Sequence, residues 1–321
     1  MKLYEYYIGV DVSKKTLDIS VLKGKAKLFH LRVSNDEKGL KALAKELKKY
    51  RIMAEKALLC LENSGFYGYK LSCWAVQNSY AVWLENAVAI KRSLGLVRGK
   101  NDQIDAYRIA LYAARFEDKC KLWQPLRKEI RVLQQLSTTH TRLINSRNRL
   151  KTPLKESALI WSKEEQKEIE RCCSSALKGL EKSIKEVEKK ISQLIKSDNK
   201  LSHMTEIITS VDGIGTQIAT AFIIATNEFK DMNEARKIAC YAGIAPFEHS
   251  SGISVRGRNR VSHLANKPLK YLIHMGALSA IKNSEQIAAY YQRKIKEGKP
   301  KMVVIKCSKE QTFAYRMCLC A

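Results

Sequence analysis

Four carboxylates near the start of the chain are spaced so that they could carry out phosphodiester chemistry together. Asp11 and Glu62 each follow a short, β-rich apolar run, while Asp102 and Asp105 lie three residues apart at the start of a helical pattern. Residues three apart share one face of a helix. Carboxylate oxygens are the ligands that Mg²⁺ prefers, and a pair of such ions stabilises the attacking and leaving oxygens at phosphorus. The spacing therefore predicts a catalytic Mg²⁺ site formed by these four side chains.

The elements that must position these acids alternate between strand and helix patterns. They predict three antiparallel strands, a crossover helix, a parallel fourth strand, a second helix, a fifth strand and a third helix. The expected bounds, in that order, are Tyr6–Val10, Leu17–Leu22, Lys27–Val33, Asp36–Tyr50, Ala57–Leu61, Gly68–Gln77, Tyr80–Leu84 and Asn101–Arg115. This order is typical of the ribonuclease-H-like fold, in which carboxylates from the first and fourth strands converge on metal. Asp18 alternates with Leu17 and Ile19, so we expect it to face solvent.

The composition indicates a nucleic-acid partner. Lysine and arginine total 58 against 32 aspartate and glutamate, a formal net charge of +26 over 321 residues, and a chain this basic is suited to phosphate backbones. The length allows two or three domains. No apolar run reaches the roughly 20 residues of a membrane span, and no signal-peptide core precedes the first strand, so a cytoplasmic protein without a membrane partner is expected. The nine cysteines lack zinc spacing and predict reduced thiols.

Two long helices are predicted in the middle of the chain. The first, at 127–151, contains Arg142, Arg147 and Arg149 without a nearby carboxylate, so we expect a basic side that lies along nucleic acid and an apolar side that packs. The second follows Pro153 and spans about 163–196, with apolar residues at the alternating spacing of a coiled-coil seam. The seam is compatible with pairing within one chain or between chains.

The segment around Gly213 and Gly215 separates two further helical patterns. It predicts a helix-hairpin-helix-like element, in which glycine amides approach a DNA phosphate. A tight helix-helix turn without DNA contact is the alternative.

A serine-rich basic segment follows. Ser251 stands beside a glycine and precedes Arg256, Arg258 and Arg260. A serine in this setting could be a nucleophile, with arginines ready to stabilise charge at phosphorus. A basic loop that only grips the DNA backbone is the alternative.

Taken together, these motifs resemble the DEDD transposases of the insertion-sequence one-hundred-ten group, which are bridge-RNA-guided serine recombinases. The resemblance runs over nearly the whole chain. It is carried by YIGVDVSKKTLDISV at 7–21, LENSG at 61–65, KNDQIDAYRIA at 100–110, SVDGIGTQIA at 210–219 and YAGIAPFEHSSGISVRGRNRVS at 241–262.

The resemblance implies a fold of α/β plus α type, with a RuvC-like DEDD domain at 1–120, a helical coiled-coil stalk at 121–200 and a mainly helical transposase domain at 201–321. It also implies that the four acids bind Mg²⁺ and that Ser251 forms a covalent phosphoserine link to DNA. The metal site of one subunit and the serine of another would then act together in a dimer or tetramer. The implied partners are donor and target DNA and a structured noncoding bridge RNA, in a prokaryotic, nucleoid-associated setting.

The chain departs from the family pattern at a few positions. The family commonly has EATG where this chain has Glu62-Asn63-Ser64-Gly65, and a lysine and a glycine where it has His263 and Ala265, while the tail from Met302 to Ala321 matches loosely. Two alternatives to a serine recombinase therefore stay open. One is a RuvC-like junction nuclease that uses metal-activated water alone, and the other is a nucleic-acid-binding remnant that has lost its chemistry.

Overall fold

The computed structural model describes residues 4–63, 65–93, 101–157, 160–251, 255–262 and 264–309. The chain divides into two compact units, Met1–Pro125 and Leu126–Ala321. A further boundary near residue 200, expected from the sequence, stays a prediction. Ser64, His263 and the end of the tail lie outside the described residues.

The first unit is built on a five-stranded mixed sheet. Its strands are β1 (Tyr6–Val12), β2 (Thr16–Lys23), β3 (Ala26–Ser34), β4 (Ala57–Glu62) and β5 (Ala81–Glu85). The spatial order is β3-β2-β1-β4-β5, with β1 antiparallel to β2, β2 antiparallel to β3, and the pairs β1–β4 and β4–β5 parallel. The antiparallel pairing of the first three strands and the parallel fourth strand confirm the arrangement predicted from the sequence.

Helices cover both faces of this sheet. They are α1 (Glu37–Lys49), α2 (Tyr69–Gln77), α3 (Ala87–Ser93) and α4 (Asp102–Arg115). The short α3 was not predicted. One core packs α1 and α2 against strand residues such as Ile8 and Leu59, and a second packs α3 and α4 against the opposite face through residues such as Tyr7 and Trp83.

Gly9 in the middle of β1 allows α4 to approach the sheet closely. A Cβ atom at Gly9 would lie 2.2 Å from the backbone nitrogen of Ala110 and 2.3 Å from the backbone oxygen of Ala106. Both contacts are with helix backbone, which cannot give way as a flexible side chain would. Gly9 therefore sets the distance between the sheet and the helix that carries Asp102 and Asp105.

The second unit is mainly helical. Its helices are α5 (Lys128–Ser157), α6 (Lys163–Ser197), α7 (Asn199–Thr209), α8 (Thr216–Thr226), α9 (Ala235–Tyr241), α10 (Lys267–Asn283), α11 (Glu285–Lys296) and α12 (Lys301–Lys309). An antiparallel hairpin of β6 (Phe247–Ser251) and β7 (Val255–Arg260) is added to them. The sequence analysis did not predict these two strands. No helix among the described residues combines the length and the apolar character that crossing a bilayer requires.

The helix α5 continues through Pro153, where the sequence was expected to interrupt it. A proline inside a helix removes one backbone hydrogen bond and crowds the carbonyl four residues earlier. The affected carbonyl is that of Arg149, so the disturbance lies in the turn from Arg149 to Pro153, and the helix ends four residues later at Ser157.

The helices α5 and α6 pack against each other as an antiparallel pair. Near one end, Arg127 donates to Asp198 at 2.9 Å, and further along the nitrogen Nε2 of His140 lies 2.9 Å from the Glu188 carboxylate. The predicted seam of α6 is buried or half-buried along this pair, as at Ile184. The seam thus packs within one chain, while a coiled-coil stalk that joins subunits stays a prediction.

Arg127 also connects this pair to the end of α8. Its guanidinium donates to the fully buried carboxylate of Glu228 at 2.8 Å, and Lys200 and Lys230 lie 3.5 and 3.4 Å from the same carboxylate. Glu228 belongs to a left-handed turn, with φ of 58°. Three cations around one buried carboxylate hold this turn in a backbone conformation that side-chain-bearing residues rarely adopt.

Substituting Gly9 with alanine tests whether close packing of α4 supports the site. We expect Gly9→Ala to lower the free energy of unfolding by about 1 to 3 kcal/mol or more, because the added methyl group overlaps the helix backbone. The measurement is thermal or urea unfolding of the full chain. Gly179→Ala is the matched control, since no atom lies within 4 Å of its added Cβ and alanine is favoured inside a helix. Unchanged stability of Gly9→Ala would contradict the packing described.

Candidate functional site

The four predicted acids lie at the end of the sheet in the first unit where the parallel strands β1 and β4 terminate. Asp11 is the next-to-last residue of β1 and Glu62 is the last residue of β4, and these strands are parallel neighbours. Asp102 and Asp105 lie in the first turn of α4, which Asn101 caps by accepting a hydrogen bond from the backbone nitrogen of Gln103. Parallel strands end at the same edge, and a helix N-terminus favours anions. The chain fold thus brings the acids to one region.

The pKa of Asp11 reflects both its burial and the charges near it. Burial raises the pKa of Asp11 to about 6, and the negative charges of Asp102, Asp105, Glu62 and Asp18 add to that rise in decreasing order. Burial and like charges both disfavour ionisation, so a half-buried carboxylate in this setting keeps its proton to a higher pH than usual. The region therefore has an excess of negative charge that a cation would relieve.

The side chains of the described acids do not converge on a single point in this structure. Among the described residues, no three Asp, Glu, His or Cys side chains stand close enough together to hold one metal ion. Instead, arginines pair with two of the acids: Arg108 donates to Asp105 at 3.0 Å, and Arg32 lies 3.5 Å from Asp102. Like charges repel, so side chains in such a cluster separate and take the nearest cation. Asp102 retains freedom to move, since its side chain is 55% exposed.

Asp18 corrects an expectation drawn from alternation. It is buried, with only 5% of its side chain exposed, and it lies directly across from Asp11 in the β1–β2 ladder. Directly opposed residues point to the same face of a sheet. Alternation did not reveal this burial because helices cover both faces, so neither face of β2 is open to solvent. The register of the β1–β2 hairpin, read from its short turn, is the signal that could have found Asp18.

A sixth acid lies at the end of β5. Glu85 pairs in register with Glu62, but its carboxylate already accepts hydrogen bonds from the Tyr112 hydroxyl at 3.1 Å and from the backbone nitrogen of Asn86 at 2.6 Å. Burial, followed by the charge of Glu85, raises the pKa of Tyr112 to about 12. Tyr112 therefore remains a hydrogen-bond donor at neutral pH, and Glu85 is engaged in holding α4 to the sheet.

The serine segment lies in the second unit. Ser251 is the last residue of β6 and pairs in register with Val255, the first residue of β7, on either side of the hairpin turn. Arg256, Arg258 and Arg260 occupy alternate positions in β7, and Arg260 is exposed. The side chains of Ser251, Arg256 and Arg258 lie outside the described part of the chain. The backbone thus places the serine at the end of a strand that pairs with the arginine-bearing β7.

The arginines of α5 do not share one side of the helix. Arg142 and Arg149 are seven residues apart, which places them on one face, and both are exposed. Arg147 is half-buried and lies seven residues after His140, in the row that faces α6. The expected single basic side is therefore wrong, because the five-residue step from Arg142 to Arg147 turns the chain well away from the first face.

The two glycines between α7 and α8 have different surroundings. Gly213 has φ of 83°, and a Cβ atom there would lie 2.4 Å from the backbone oxygen of Gly276 in α10. Gly215 has open space on that side. Packing against α10 explains why glycine is required at 213, so contact with nucleic acid stays a prediction at both positions, with room for it at Gly215.

Two protein-family models match the chain. Residues 8–159 match a model described as "Transposase", and residues 205–292 match one described as "Transposase IS116/IS110/IS902 family". The second model covers α10 and also β6 and β7, which form the serine hairpin.

Several known proteins are similar to the chain. It is 27% identical over 307 residues to the pilin gene-inverting protein of Moraxella bovis, covering 93% of this chain and 90% of that protein. It is 27% identical over 122 residues to an uncharacterized 44.8 kDa protein of insertion element IS116 from Streptomyces clavuligerus, covering 38% of this chain and 29% of that protein. Among solved structures, RuvC of T. thermophilus in complex with a Holliday junction substrate matches 37% of this chain and 100% of RuvC, at 14% identity and a TM-score of 0.29.

The raised pKa of Asp11 predicts how its substitution affects stability. Because the pKa rises from 3.8 to about 6 on folding, the folded state is penalised as pH increases through this window and stays penalised above it. Asp11→Asn is therefore expected to raise the free energy of unfolding at pH 7.5, by on the order of 1 kcal/mol after discounting for the half-exposed carboxyl. The gain should fade below about pH 4. Urea unfolding at a series of pH values measures it.

Asp36→Ala is a control for which we expect the free energy of unfolding to change in the opposite direction. Asp36 caps α1, and hydrogen bonds from Ser34 and then from the Gly39 backbone lower the pKa of its carboxyl. Removing the cap should lower stability at pH 7.5. If Asp11→Asn also lowers stability there, the picture of an overcharged acid site is wrong.

Proposed function

This chain belongs to the IS116/IS110/IS902 family of transposases, and from that premise we propose that it exchanges DNA strands by means of a divalent-metal acid site and a serine nucleophile. The enzyme is a DNA recombinase or transposase. The observation that best supports the metal-dependent part is that Asp11 and Glu62 lie at the ends of neighbouring parallel strands, while Asp102 and Asp105 lie in the first turn of α4. Burial, followed by the charges of the neighbouring carboxylates, raises the pKa of Asp11.

The residues of the acid site fit a hard divalent cation. Asp11, Glu62, Asp102 and Asp105 offer only oxygen donors, which are the ligands that Mg²⁺ takes. Arg108 and Arg32 offset only part of their negative charge, so a bound cation would relieve the remainder, and the exposed Asp102 side chain can turn toward an ion. A bound cation would supply charge neutralisation at the phosphoryl oxygens in the transition state. The half-buried Asp11 and the capped first turn of α4 would orient the donors.

Ser251 is proposed to carry the covalent step. Its hydroxyl oxygen forms a bond to phosphorus while the bond from phosphorus to a deoxyribose oxygen breaks, and the serine proton ends on the released deoxyribose hydroxyl. The phosphoserine ester keeps the phosphate activated, so rejoining to another deoxyribose hydroxyl reverses the step without an added energy source. Arg256, Arg258 and Arg260 in β7 would stabilise the negative charge at phosphorus.

The basic surface supports nucleic acid as the partner. The net charge of +26 and the exposed pair Arg142 and Arg149 on α5 are suited to a phosphate backbone. The family resemblance further implies a structured noncoding bridge RNA and a dimer or tetramer. The similarity to a protein named for pilin gene inversion favours a strand exchange that can invert a segment as well as insert one.

A second candidate is a nuclease that uses the acid site alone. It is favoured by the electrostatic coupling, which involves the carboxylates and does not require the serine. In that case water replaces the serine hydroxyl as nucleophile, the DNA is cut and no protein–DNA ester forms. The two candidates therefore differ in whether a covalent adduct exists.

Trapping the covalent intermediate distinguishes these candidates. With a DNA substrate taken from the ends of the element, its noncoding RNA and Mg²⁺, we expect the wild type to form an adduct that survives denaturing electrophoresis. Ser251→Ala is expected to reduce the adduct by at least about a hundredfold, since no other group replaces a nucleophile. Asp11→Asn is expected to abolish strand exchange as well.

Ser250→Ala is the matched control, because it removes the neighbouring hydroxyl from the same strand. It should retain most of the adduct. Adduct at full yield in Ser251→Ala would overturn the serine assignment, and cleavage at the wild-type rate in Ser251→Ala without any adduct would favour the nuclease.

Salt dependence tests the role of α5. If Arg142 and Arg149 each contact a phosphate, the double variant with glutamine at both positions should reduce the slope of log affinity against log salt by about two. Arg147→Gln is the matched control, because Arg147 lies on the row facing α6, and it should leave the slope nearly unchanged. The measurement is fluorescence anisotropy with duplex DNA at several salt concentrations. Equal effects of the double variant and of Arg147→Gln would contradict this assignment.

A further inference from the structure

We propose that Arg32 is a tethered cation that occupies the acid site before a divalent ion binds and is exchanged for that ion. Arg32 would thus be a positioning residue that controls metal loading. This exchange rests on the proposed metal-binding function of the four acids.

Arg32 is aligned with the site by the register of the sheet. Asp11 in β1 lies directly across from Asp18 in β2, and Asp18 lies directly across from Arg32 in β3. Side chains in directly opposed positions share one face. The three residues therefore form a row across three strands, on the face that α4 covers.

Buried Asp18 anchors the guanidinium of Arg32. The nitrogen Nε of Arg32 lies 3.5 Å from one Asp18 carboxylate oxygen, and the nitrogen Nε2 of His30 lies 3.3 Å from the other. Only 5% of the Asp18 side chain is exposed. A buried carboxylate requires a compensating partner, so Asp18 keeps Arg32 directed at the site although Arg32 belongs to the edge strand.

The outer end of the same guanidinium reaches the acid site. Its Nη2 atom lies 3.5 Å from the Asp102 carboxylate in the first turn of α4. One arginine thereby links a buried acid with no proposed ligand role to an acid proposed as a metal ligand. A planar guanidinium with several donors suits this bridging role, which a single ammonium group would fill poorly.

The arrangement makes Arg32 compete with a bound ion. Asp102 cannot keep its ion pair with Arg32 while it coordinates a divalent cation. Two positive groups so close together would also repel each other. The side chains of Arg32 and Asp102 are 58% and 55% exposed, so both have room to separate. Removing the charge of Arg32 should therefore strengthen cation binding, whereas a merely structural role would leave the affinity unchanged or weaken it.

Calorimetric titration of the full chain with Mn²⁺ alone tests the sign of this effect. We expect Arg32→Gln to bind Mn²⁺ about three- to tenfold more tightly than the wild type, from the loss of one exposed ion pair and of the repulsion. Arg32→Lys retains the charge but cannot span both acids, and its affinity should fall between the two. Lys27→Gln removes one positive charge from the same strand roughly 16 Å away, and it should bind as the wild type does.

The outcomes separate this inference from the proposed function. Binding by the wild type that Asp11→Asn abolishes would support the metal site independently of Arg32. If the wild type binds Mn²⁺ and Arg32→Gln binds it equally or more weakly, the exchange is overturned while the proposed metal site stands. A matching gain in Mn²⁺ affinity in Lys27→Gln would also overturn the exchange, because the effect would then come from the net charge of the protein and not from Arg32. No binding by the wild type at millimolar Mn²⁺ would overturn both the metal site and the exchange.

Discussion

Repulsion among carboxylates at the ends of β1 and β4 is the constraint on which the first unit depends. The ends of β1 and β4 and the first turn of α4 bring acids together although each would be more stable farther from the others. Close packing of α4 on Gly9 enforces this proximity, and the neighbouring carboxylates add to the rise that burial produces in the pKa of Asp11. Such a cluster costs stability and is retained where function requires it. The arginines that contact Asp102 and Asp105 offset part of the charge.

The sequence predicted the strands and helices of the first unit because their signals are local. Strand and helix periodicity is read within a short window, and the antiparallel first strands and the parallel fourth strand followed from the order of these elements. The role of the four acids stays a prediction. Asp18 and Arg32 were missed because their importance depends on register across strands. Burial on both faces of β2 removed the alternation by which a solvent-facing residue would be recognised.

The second unit was harder to predict in detail. The seam of α6 followed from helical periodicity, but α5 continues through Pro153 to Ser157, beyond the end predicted at residue 151. The basic face of α5 was overestimated because a count of arginines ignores their angular positions. The hairpin of β6 and β7 could not be anticipated from a segment rich in serine, glycine and arginine, residues without strong strand preference.

The central claim is that the four acids of the first unit gather around divalent cations. The most direct test is a crystal of the full chain soaked in Mn²⁺, with anomalous scattering used to locate the metal. The account predicts an anomalous peak bonded to carboxylate oxygens of Asp11 and Glu62 and of at least one of Asp102 and Asp105, with Arg32 turned away from Asp102. Manganese bound elsewhere, or these acids still apart at saturating Mn²⁺, would contradict it.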